Sequence, residues 1–251
     1  MKRTMVAVLV ASMIGFAFGA KAAELITEKD INGKISANVG MVTEYFFRGI
    51  TQTGEKFAVQ GGLDYAHNSG VYLGAWGSNV DFGDGDEASS EVDLYGGWSG
   101  ALGNSKVSLD VGGIYYVYPG ATDSLDYDFF EIYAGLSGDI GAASVSAKVS
   151  YSADYFGGSG DATYVELGVD VPLGKIFTLN LHSGYQWIDE NATFGADDYF
   201  DYLIGLSFSA VGLDFQVAYL GTDLDESDSG NALTCFRTSC STVIASVSKS
   251  F

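Results

Sequence analysis

Residues 213–221 read Leu-Asp-Phe-Gln-Val-Ala-Tyr-Leu-Gly, and the side chains of this stretch alternate in character. Apolar side chains stand at every second position, at Leu213, Phe215, Val217 and Tyr219. The positions between them hold Asp214, Gln216 and Ala218. Successive side chains of a β-strand point to opposite sides, so this period of two predicts a strand with one apolar and one polar face. Residues 163–171 repeat the pattern.

The same alternation recurs along the chain and predicts about twelve strands. We place them at 35–48, 57–66, 71–80, 91–99, 106–118, 129–138, 143–153, 162–171, 176–188, 199–209, 213–221 and 242–251. Short turns alternate with longer loops rich in Gly, Ser and Asp, which is typical of barrels with short periplasmic turns and long external loops. We therefore predict an all-β fold, a transmembrane antiparallel up-and-down β-barrel of about twelve strands with both termini at the periplasmic rim.

Alternation alone would also fit a soluble β-sandwich, and the positions of the aromatic residues favour the barrel. Most of them fall near predicted strand ends: Tyr45, Phe46, Phe47, Tyr65, Trp98, Tyr115, Phe130, Tyr151, Tyr155, Phe177, Tyr185, Trp187, Tyr199, Tyr202 and Tyr219. Such rings form girdles at the two membrane interfaces of outer-membrane barrels. The apolar residues expected to face lipid include Val92, Leu94, Val111, Ile132, Val169 and Leu206.

The first 22 residues have the organisation of a secretory signal peptide. Lys2 and Arg3 precede an apolar core over residues 5–18, and Ala20-Lys21-Ala22 matches a small-x-small cleavage site. We expect cleavage before Ala23; the alternatives are an uncleaved anchor and a buried helix. Residues 23–251 then form one domain, the barrel, because no linker divides them.

The charge balance excludes a nucleic-acid-binding surface. The formal net charge is −20, and removing residues 1–22 takes away Lys2, Arg3 and Lys21 but no acid, which gives −23. Binding to phosphates depends on clustered Lys and Arg, which are sparse and scattered here. Disorder is excluded as well, since 47% hydrophobic and 14% aromatic residues can bury a large apolar surface.

Several stretches resemble the TorF family of porins. The resemblance lies in residues 36–52 (SANVGMVTEYFFRGITQ), 58–65 (AVQGGLDY), 70–80 (GVYLGAWGSNV), 91–97 (EVDLYGG) and the final Ser-Lys-Ser-Phe. It covers essentially the whole of residues 23–251 and is strongest over 36–98. The resemblance implies an outer-membrane barrel and a solute channel. Many outer-membrane barrels also end in an aromatic residue read by the barrel-assembly machinery, which implies that Phe251 has this role.

If the apolar faces meet lipid, the opposite faces line the interior. The pore-lining candidates on those faces are Glu44, Arg48, Asp64, Glu91, Asp93, Asp110, Glu131, Lys148, Glu166 and Asp214. Carboxylates outnumber the two cations, so a continuous path would favour cations, as rings of Asp and Glu do in cation pores. The alternative is a plug of ion pairs centred on Arg48 and Lys148, because buried charges need partners.

The predicted function is passive diffusion of small, preferentially cationic or neutral solutes through an outer-membrane channel. Twelve strands make a narrow barrel compared with the roughly 16 to 18 strands of wide aqueous porins. The alternative is a non-conducting structural or surface-interaction barrel that acts through its acidic external loops, with residues 222–241 as the external contact. The expected partners are outer-membrane lipid and lipopolysaccharide, the latter through divalent cations held by loop acids.

We expect no enzymatic activity, no cofactor and no metal site. His67 falls in a turn and His182 in mid-strand, and the spacing supplies neither with a Ser or Asp partner. Residues 81–87 are rich in acids but do not complete a calcium-loop pattern, so we interpret them as a solvated loop. Cys235 and Cys240 predict a small disulfide in an oxidising compartment, in preference to a redox or metal role.

Overall fold

A computed structural model describes residues 31–82, 88–224 and 241–251 of the chain as a closed barrel of twelve strands. The barrel strands are β1 (Gly33–Val42), β4 (Ala58–His67), β5 (Val71–Asn79), β6 (Ser90–Ala101), β7 (Ser108–Val117), β8 (Phe129–Ile140), β9 (Ala143–Ser152), β10 (Ala162–Leu173), β11 (Phe177–Ile188), β12 (Tyr199–Ala210), β13 (Leu213–Thr222) and β14 (Ser241–Ser250). A separate two-stranded sheet consists of β2 (Phe46–Phe47) and β3 (Ile50–Thr51). A 3₁₀ turn at Asp123–Leu125 and a short helix at Asn191–Phe194 lie in loops.

The prediction of a twelve-stranded antiparallel up-and-down barrel is confirmed. Each barrel strand pairs antiparallel with its neighbours in sequence, and β1 pairs with both β4 and β14. One end of the barrel, the short-turn end, carries the connections 68–70, 102–107, 141–142, 174–176 and 211–212. The other end, the long-loop end, carries the connections 43–57, 80–89, 118–128, 153–161, 189–198 and 223–240.

The barrel closes where β1 meets β14. Asn38 lies opposite Ser250 and Val42 opposite Ser246 in this register. Beyond the last strand residue, the Phe251 N–H donates to the Ala37 carbonyl at 2.8 Å. The Lys249 ammonium lies 5.0 Å from the centre of the Phe251 ring on the outer face, as expected from their shared strand face.

The prediction of one strand over residues 35–48 is wrong in its second half. β1 ends at Val42, and the chain turns inward to form the β2–β3 hairpin, whose two-residue turn is Arg48–Gly49. Both turn residues have positive φ, 47° for Arg48 and 77° for Gly49, as a tight hairpin turn of the primed type requires. A Cβ on Gly49 would lie 2.5 Å from Thr222 Cγ2, so only glycine fits this turn against the barrel wall.

The outer surface of the barrel is apolar and its interior is polar, the reverse of a soluble protein. Leu94, Ile132 and Val217 on the outside are 52%, 54% and 53% exposed, whereas Glu91, Asp93 and Glu131 on the inside are at most 1% exposed. The outward placement of Leu94, Val111, Ile132 and Leu206 is confirmed by their exposure. Val92 and Val169 share that face and are half-buried. No helix in the described ranges has the length and apolar character needed to cross a membrane.

Four predictions fall outside the described residues in whole or in part. They are the signal peptide over residues 1–22, the 83–87 part of the acidic loop, the disulfide between Cys235 and Cys240, and the 225–240 part of the loop expected to make an external contact.

Candidate functional site in the barrel lumen

Residues 43–53, which we name the lumen plug, fold into the barrel at its long-loop end. The segment holds its own shape: the Tyr45 N–H donates to Thr53 Oγ1 at 3.0 Å, and the Gln52 N–H donates to the Tyr45 carbonyl at 2.7 Å. Glu44 accepts hydrogen bonds from the Thr51 hydroxyl at 2.7 Å and from the Glu55 N–H at 3.0 Å. Glu44 is therefore part of the plug's internal scaffold and not a residue of the strand wall.

Arg48 at the tip of the plug is buried in the lumen, with 4% of its surface exposed. It donates to Glu131 Oε2 on β8 at 2.7 Å and to Gln186 Oε1 on β11 at 2.8 Å. Its guanidinium carbon also lies 4.2 Å from the centre of the Tyr164 ring and 4.7 Å from that of Phe47. The planar, forked guanidinium suits this combination of ion pair and ring stacking, and it ties the plug to two strands of the wall that are three positions apart.

A second charged network lies on β9 to β12, nearer the middle of the barrel. Lys148 and Glu166 form an ion pair at 2.7 Å. His182 Nε2 lies 2.9 Å from Asp201 Oδ1, and its Nδ1 lies 3.8 Å from Glu166 Oε2. The Tyr164 hydroxyl donates to Asp201 Oδ2 at 2.8 Å. This chain of contacts joins four neighbouring strands from inside.

Two further carboxylates accept hydrogen bonds from tyrosine hydroxyls. Tyr72 donates to Asp110 Oδ1 at 2.6 Å, and its hydroxyl also contacts that of Tyr133. Tyr95 donates to Asp64. A phenol donates one hydrogen bond to each carboxylate without neutralising its charge, and Asp110 Oδ2 has no hydrogen-bond partner among the described residues.

Asp93 differs from the other inward carboxylates, and Glu91 lies beside it. They occupy adjacent inward positions on β6 and are 1% and 0% exposed. Glu91 Oε1 accepts a hydrogen bond from the Tyr45 hydroxyl at 3.0 Å. Glu91 Oε2 and both oxygens of Asp93 have no hydrogen-bond partner within the described ranges.

The structure places the predicted pore-lining residues at several depths. Arg48 and Glu44 are inside the lumen but belong to the plug, which corrects their assignment to a strand. The wall residues Glu91, Asp93 and Glu131 approach the plug from the inner faces of β6 and β8. Asp214 lies apart from them, beside the turn 211–212, where its carboxylate contacts the Ser209 hydroxyl.

An aromatic cluster fills the lumen at the long-loop end. Its members are Phe47, Phe82, Tyr118, Tyr127, Phe129, Tyr155, Phe156, Phe194 and Tyr199, all of them buried. Tyr127 stacks on Phe156 with ring centres 4.3 Å apart, and a narrow cleft runs between Phe47, Phe82 and Tyr199. The prediction that Tyr45, Phe47, Tyr155 and Tyr199 belong to an interfacial girdle is therefore wrong, because they point inward.

The other half of the lumen has small polar walls. Register pairs place Ser36 beside Asp64, Ser146 beside Ser137, and Ser248 beside Asp214. The lumen is thus lined by polar side chains toward the short-turn end and closed by charged and aromatic side chains at the long-loop end.

Sequence reasoning missed Tyr45, Tyr164, Gln186 and the aromatic cluster as parts of this site. An inward Tyr or Gln on an alternating strand carries no charge to mark it. The plug had one local signal, the Arg48-Gly49 dipeptide between apolar pairs, which permits a two-residue hairpin turn.

Comparison with known proteins gives a family and a shared architecture. The profile of a family described as "Bacterial protein of unknown function (Gcw_chp)" matches residues 28–251. The KdgM porin is similar in structure with a TM-score of 0.56 and 9% identity, over 86% of this chain and 99% of that one. The NanC porin is similar with a TM-score of 0.55 and 8% identity, over 86% of this chain and 98% of that one. An outer membrane channel from Pseudomonas putida F1 is similar with a TM-score of 0.52 and 9% identity, over 88% of this chain and 96% of that one.

At these identities the likeness shows the barrel fold alone. No curated protein matches the chain. The resemblance to the TorF family stays a prediction.

Proposed function

We propose that this chain, which belongs to the Gcw_chp family of bacterial proteins of unknown function, is a narrow outer-membrane channel for small cationic or neutral solutes. The observation that carries the proposal is the polar, carboxylate-rich lumen inside a closed barrel with an apolar outer surface. The porin-like architecture of the compared structures supports it.

The proposed location is the bacterial outer membrane. In hydrocarbon, every backbone N–H and C=O must be paired within the protein, and a closed barrel achieves this without an open edge. The strands of 9 to 12 residues fit a tilted crossing, which needs roughly 9 to 11. The proposed lipid contact is the outer face that carries Leu94, Ile132 and Val217.

The proposed selectivity for cations rests on the charge of the lumen. Arg48 and Lys148 are each paired with a carboxylate, while Asp64 and Asp110 have no cationic partner among the ion pairs of the described residues. The negative potential of these two groups would attract cations and repel anions. A substrate such as oligogalacturonate, found in complex with the KdgM porin, carries carboxylates of its own and does not fit this lumen.

The proposed channel has a closed and an open state. The plug and the aromatic cluster occupy the long-loop end of the lumen, so a solute path requires the plug to move away from Glu131 and Gln186. At its tip, the β2–β3 hairpin is joined to the wall by the side-chain contacts of Arg48, and these are the contacts that opening has to break. We assign the network around His182 a structural role and no catalytic step.

The second candidate function is a non-conducting barrel that acts through its acidic external loops. The depth of the Arg48 anchorage favours it, because buried ion pairs are costly to open once formed. Its partners would be lipopolysaccharide and other surface molecules at the loops, with the barrel-assembly machinery acting on the Phe251 end.

Planar-bilayer recording of the refolded full chain separates the two candidates. The channel proposal expects cation-selective current steps from the wild type, a variant with the plug tip removed, or both. Absence of current from both proteins at any voltage would establish the non-conducting barrel. Anion-selective current would keep the channel and remove the charge argument.

A further inference from the structure

The pair Glu91 and Asp93 is a buried concentration of negative charge next to the lumen plug. The two residues are separated by one outward residue on β6, so both carboxylates project into the lumen on the same face. Together they expose almost no surface. In the strand register, Asp93 lies between Trp76 on β5 and Tyr116 on β7, two aromatic neighbours. The Tyr116 hydroxyl donates to Glu131 Oε2 at 3.3 Å and not to Asp93.

Every comparable inward carboxylate of the described wall has a donor. Glu131 has Arg48, Glu166 has Lys148, and Asp201 has His182 and Tyr164. Asp110, Asp64 and Asp170 accept from Tyr72, Tyr95 and Asn180. Both oxygens of Asp93 lack such a partner in the described part of the chain, as does one oxygen of Glu91 and one of Asp110. An unpaired buried carboxylate is strongly disfavoured, so two neighbouring ones need a positive species between them.

We propose that Glu91 and Asp93 bind a hard divalent cation inside the barrel, below the lumen plug. The oxygen atoms available are carboxylates and the Tyr45 hydroxyl, and oxygen ligands select ions such as Ca²⁺ over soft transition metals. The formal charge of two carboxylates matches a divalent ion, and Ca²⁺ accepts irregular geometry with water completing its coordination.

The site connects the ion to the position of the plug. Tyr45 belongs to the plug and donates to Glu91, so an ion held by Glu91 and Asp93 orders the wall residue on which the plug rests. Arg48 is not available to neutralise the pair, because it is committed to Glu131 and Gln186. The site does not require conduction, since a barrel that carries no current can still hold the ion.

Binding is tested on the full chain refolded in detergent micelles, after treatment with a chelator. Titration with CaCl₂ is followed by calorimetry and by thermal unfolding. A ligand that binds only the folded state raises the unfolding temperature with its concentration. We expect Asp93→Asn and Glu91→Gln each to remove one equivalent of bound Ca²⁺ per chain. Asp170→Asn, a lumen carboxylate that already has a donor in Asn180, is the matched control and should keep that equivalent.

Terbium luminescence gives a readout that needs no charge-removing variant. Tb³⁺ replaces Ca²⁺ at oxygen sites and is excited through a nearby indole, and Trp76 lies opposite Asp93 on the adjacent strand. The wild type should show sensitised emission that Ca²⁺ displaces, and Trp76→Phe should lose most of it.

Two results would overturn the proposal. One is Ca²⁺ binding that is unchanged in both carboxylate variants, which would place the ions at other acids. The other is a wild type that gains no stability from Ca²⁺ or Mg²⁺ and shows no terbium emission, while Asp93→Asn is more stable than the wild type. That combination would mean that the two carboxyl groups share a proton.

Discussion

Arg48 and Glu131 lie 2.7 Å apart although 83 residues separate them in the sequence, and both are buried in the lumen. The pair joins the tip of an inward-folded loop to the inner face of β8. Because it is the charged contact between the plug and the wall, it controls both the stability of the closed lumen and the proposed opening.

We predict that Glu131→Gln destabilises the barrel by about 3 to 5 kcal/mol, because it leaves Arg48 as an uncompensated buried charge. Conductance of the proposed channel should rise in the same variant, since the plug loses its ionic anchor. Guanidinium unfolding in micelles and bilayer recording measure the two effects. Lys56→Gln is the control: its ion pair with Asp81 is exposed, and exposed pairs contribute about 0 to 1 kcal/mol. Equal losses of stability in the two variants would contradict the view that the buried Arg48–Glu131 pair anchors the plug to the wall.

Gly49→Ala should be more damaging than an alanine at another glycine of the same backbone conformation. Gly49 and Gly212 both have φ of 77°, but a Cβ on Gly49 would lie 2.5 Å from Thr222 Cγ2 and 2.9 Å from Asp201 Cβ, while Gly212 has open space. Gly212→Ala should therefore be destabilised only by the cost of placing a Cβ on a left-handed backbone, about 1 to 2 kcal/mol. Unfolding free energies of the two variants test this, and similar values would show that the plug does not pack against β12 and β13 as described.

Val217→Arg should impair folding into phospholipid vesicles by about 2 to 4 kcal/mol, because Val217 is exposed in the middle of β13 and an arginine there would meet acyl chains. Ile140→Arg is the matched substitution at the end of β8, where the loss should be about 0 to 1 kcal/mol. If Val217→Arg folded as well as the wild type and stayed soluble without detergent, the outer face would not be a lipid surface.

Asp110→Asn should lower the cation preference of the proposed channel. Asp110 accepts from Tyr72 and has no cationic partner among the described ion pairs, so its charge contributes to the lumen potential. The reversal potential under a salt gradient should move toward zero by a measurable fraction, with the unitary conductance changed little. Glu190→Gln, on an exposed loop outside the lumen, should leave the reversal potential unchanged. The opposite ranking would place the selectivity at the loops.

The barrel was predictable because each strand has to satisfy two environments at once. In β11 the predicted range 176–188 and the observed Phe177–Ile188 agree closely, since apolar and polar residues alternate along its length. Tyr115 and Tyr116 show where that reasoning stops: one is 42% exposed and the other 1%. The alternation predicts that adjacent rings face opposite sides of the strand. It does not predict the contacts of the inward ring, because these depend on loops that fold into the lumen.

The lumen plug could not be predicted from the local sequence pattern either, because its contacts are with distant parts of the chain. Tyr45 and Phe47 continue the alternation of β1, so the sequence permits a longer strand over residues 35–48. Burial among Tyr155, Tyr116 and Phe129 stabilises the inward hairpin instead, and those partners lie 69 or more residues further on. The Arg48–Glu131 pair, and the lack of a donor for Asp93 among the residues that the structure describes, are likewise properties of the closed barrel.

The seam between β1 and β14 sets an order of events for biogenesis. Its hydrogen bonds join positions as distant as Ala37 and Phe251, 214 residues apart. Until β14 has paired with β1, any partly formed sheet has two unsatisfied edges, which are templates for aggregation. Closure by the last strand therefore requires the polypeptide to be kept apart from other copies of the chain, and the rate of seam formation sets how long that protection has to last.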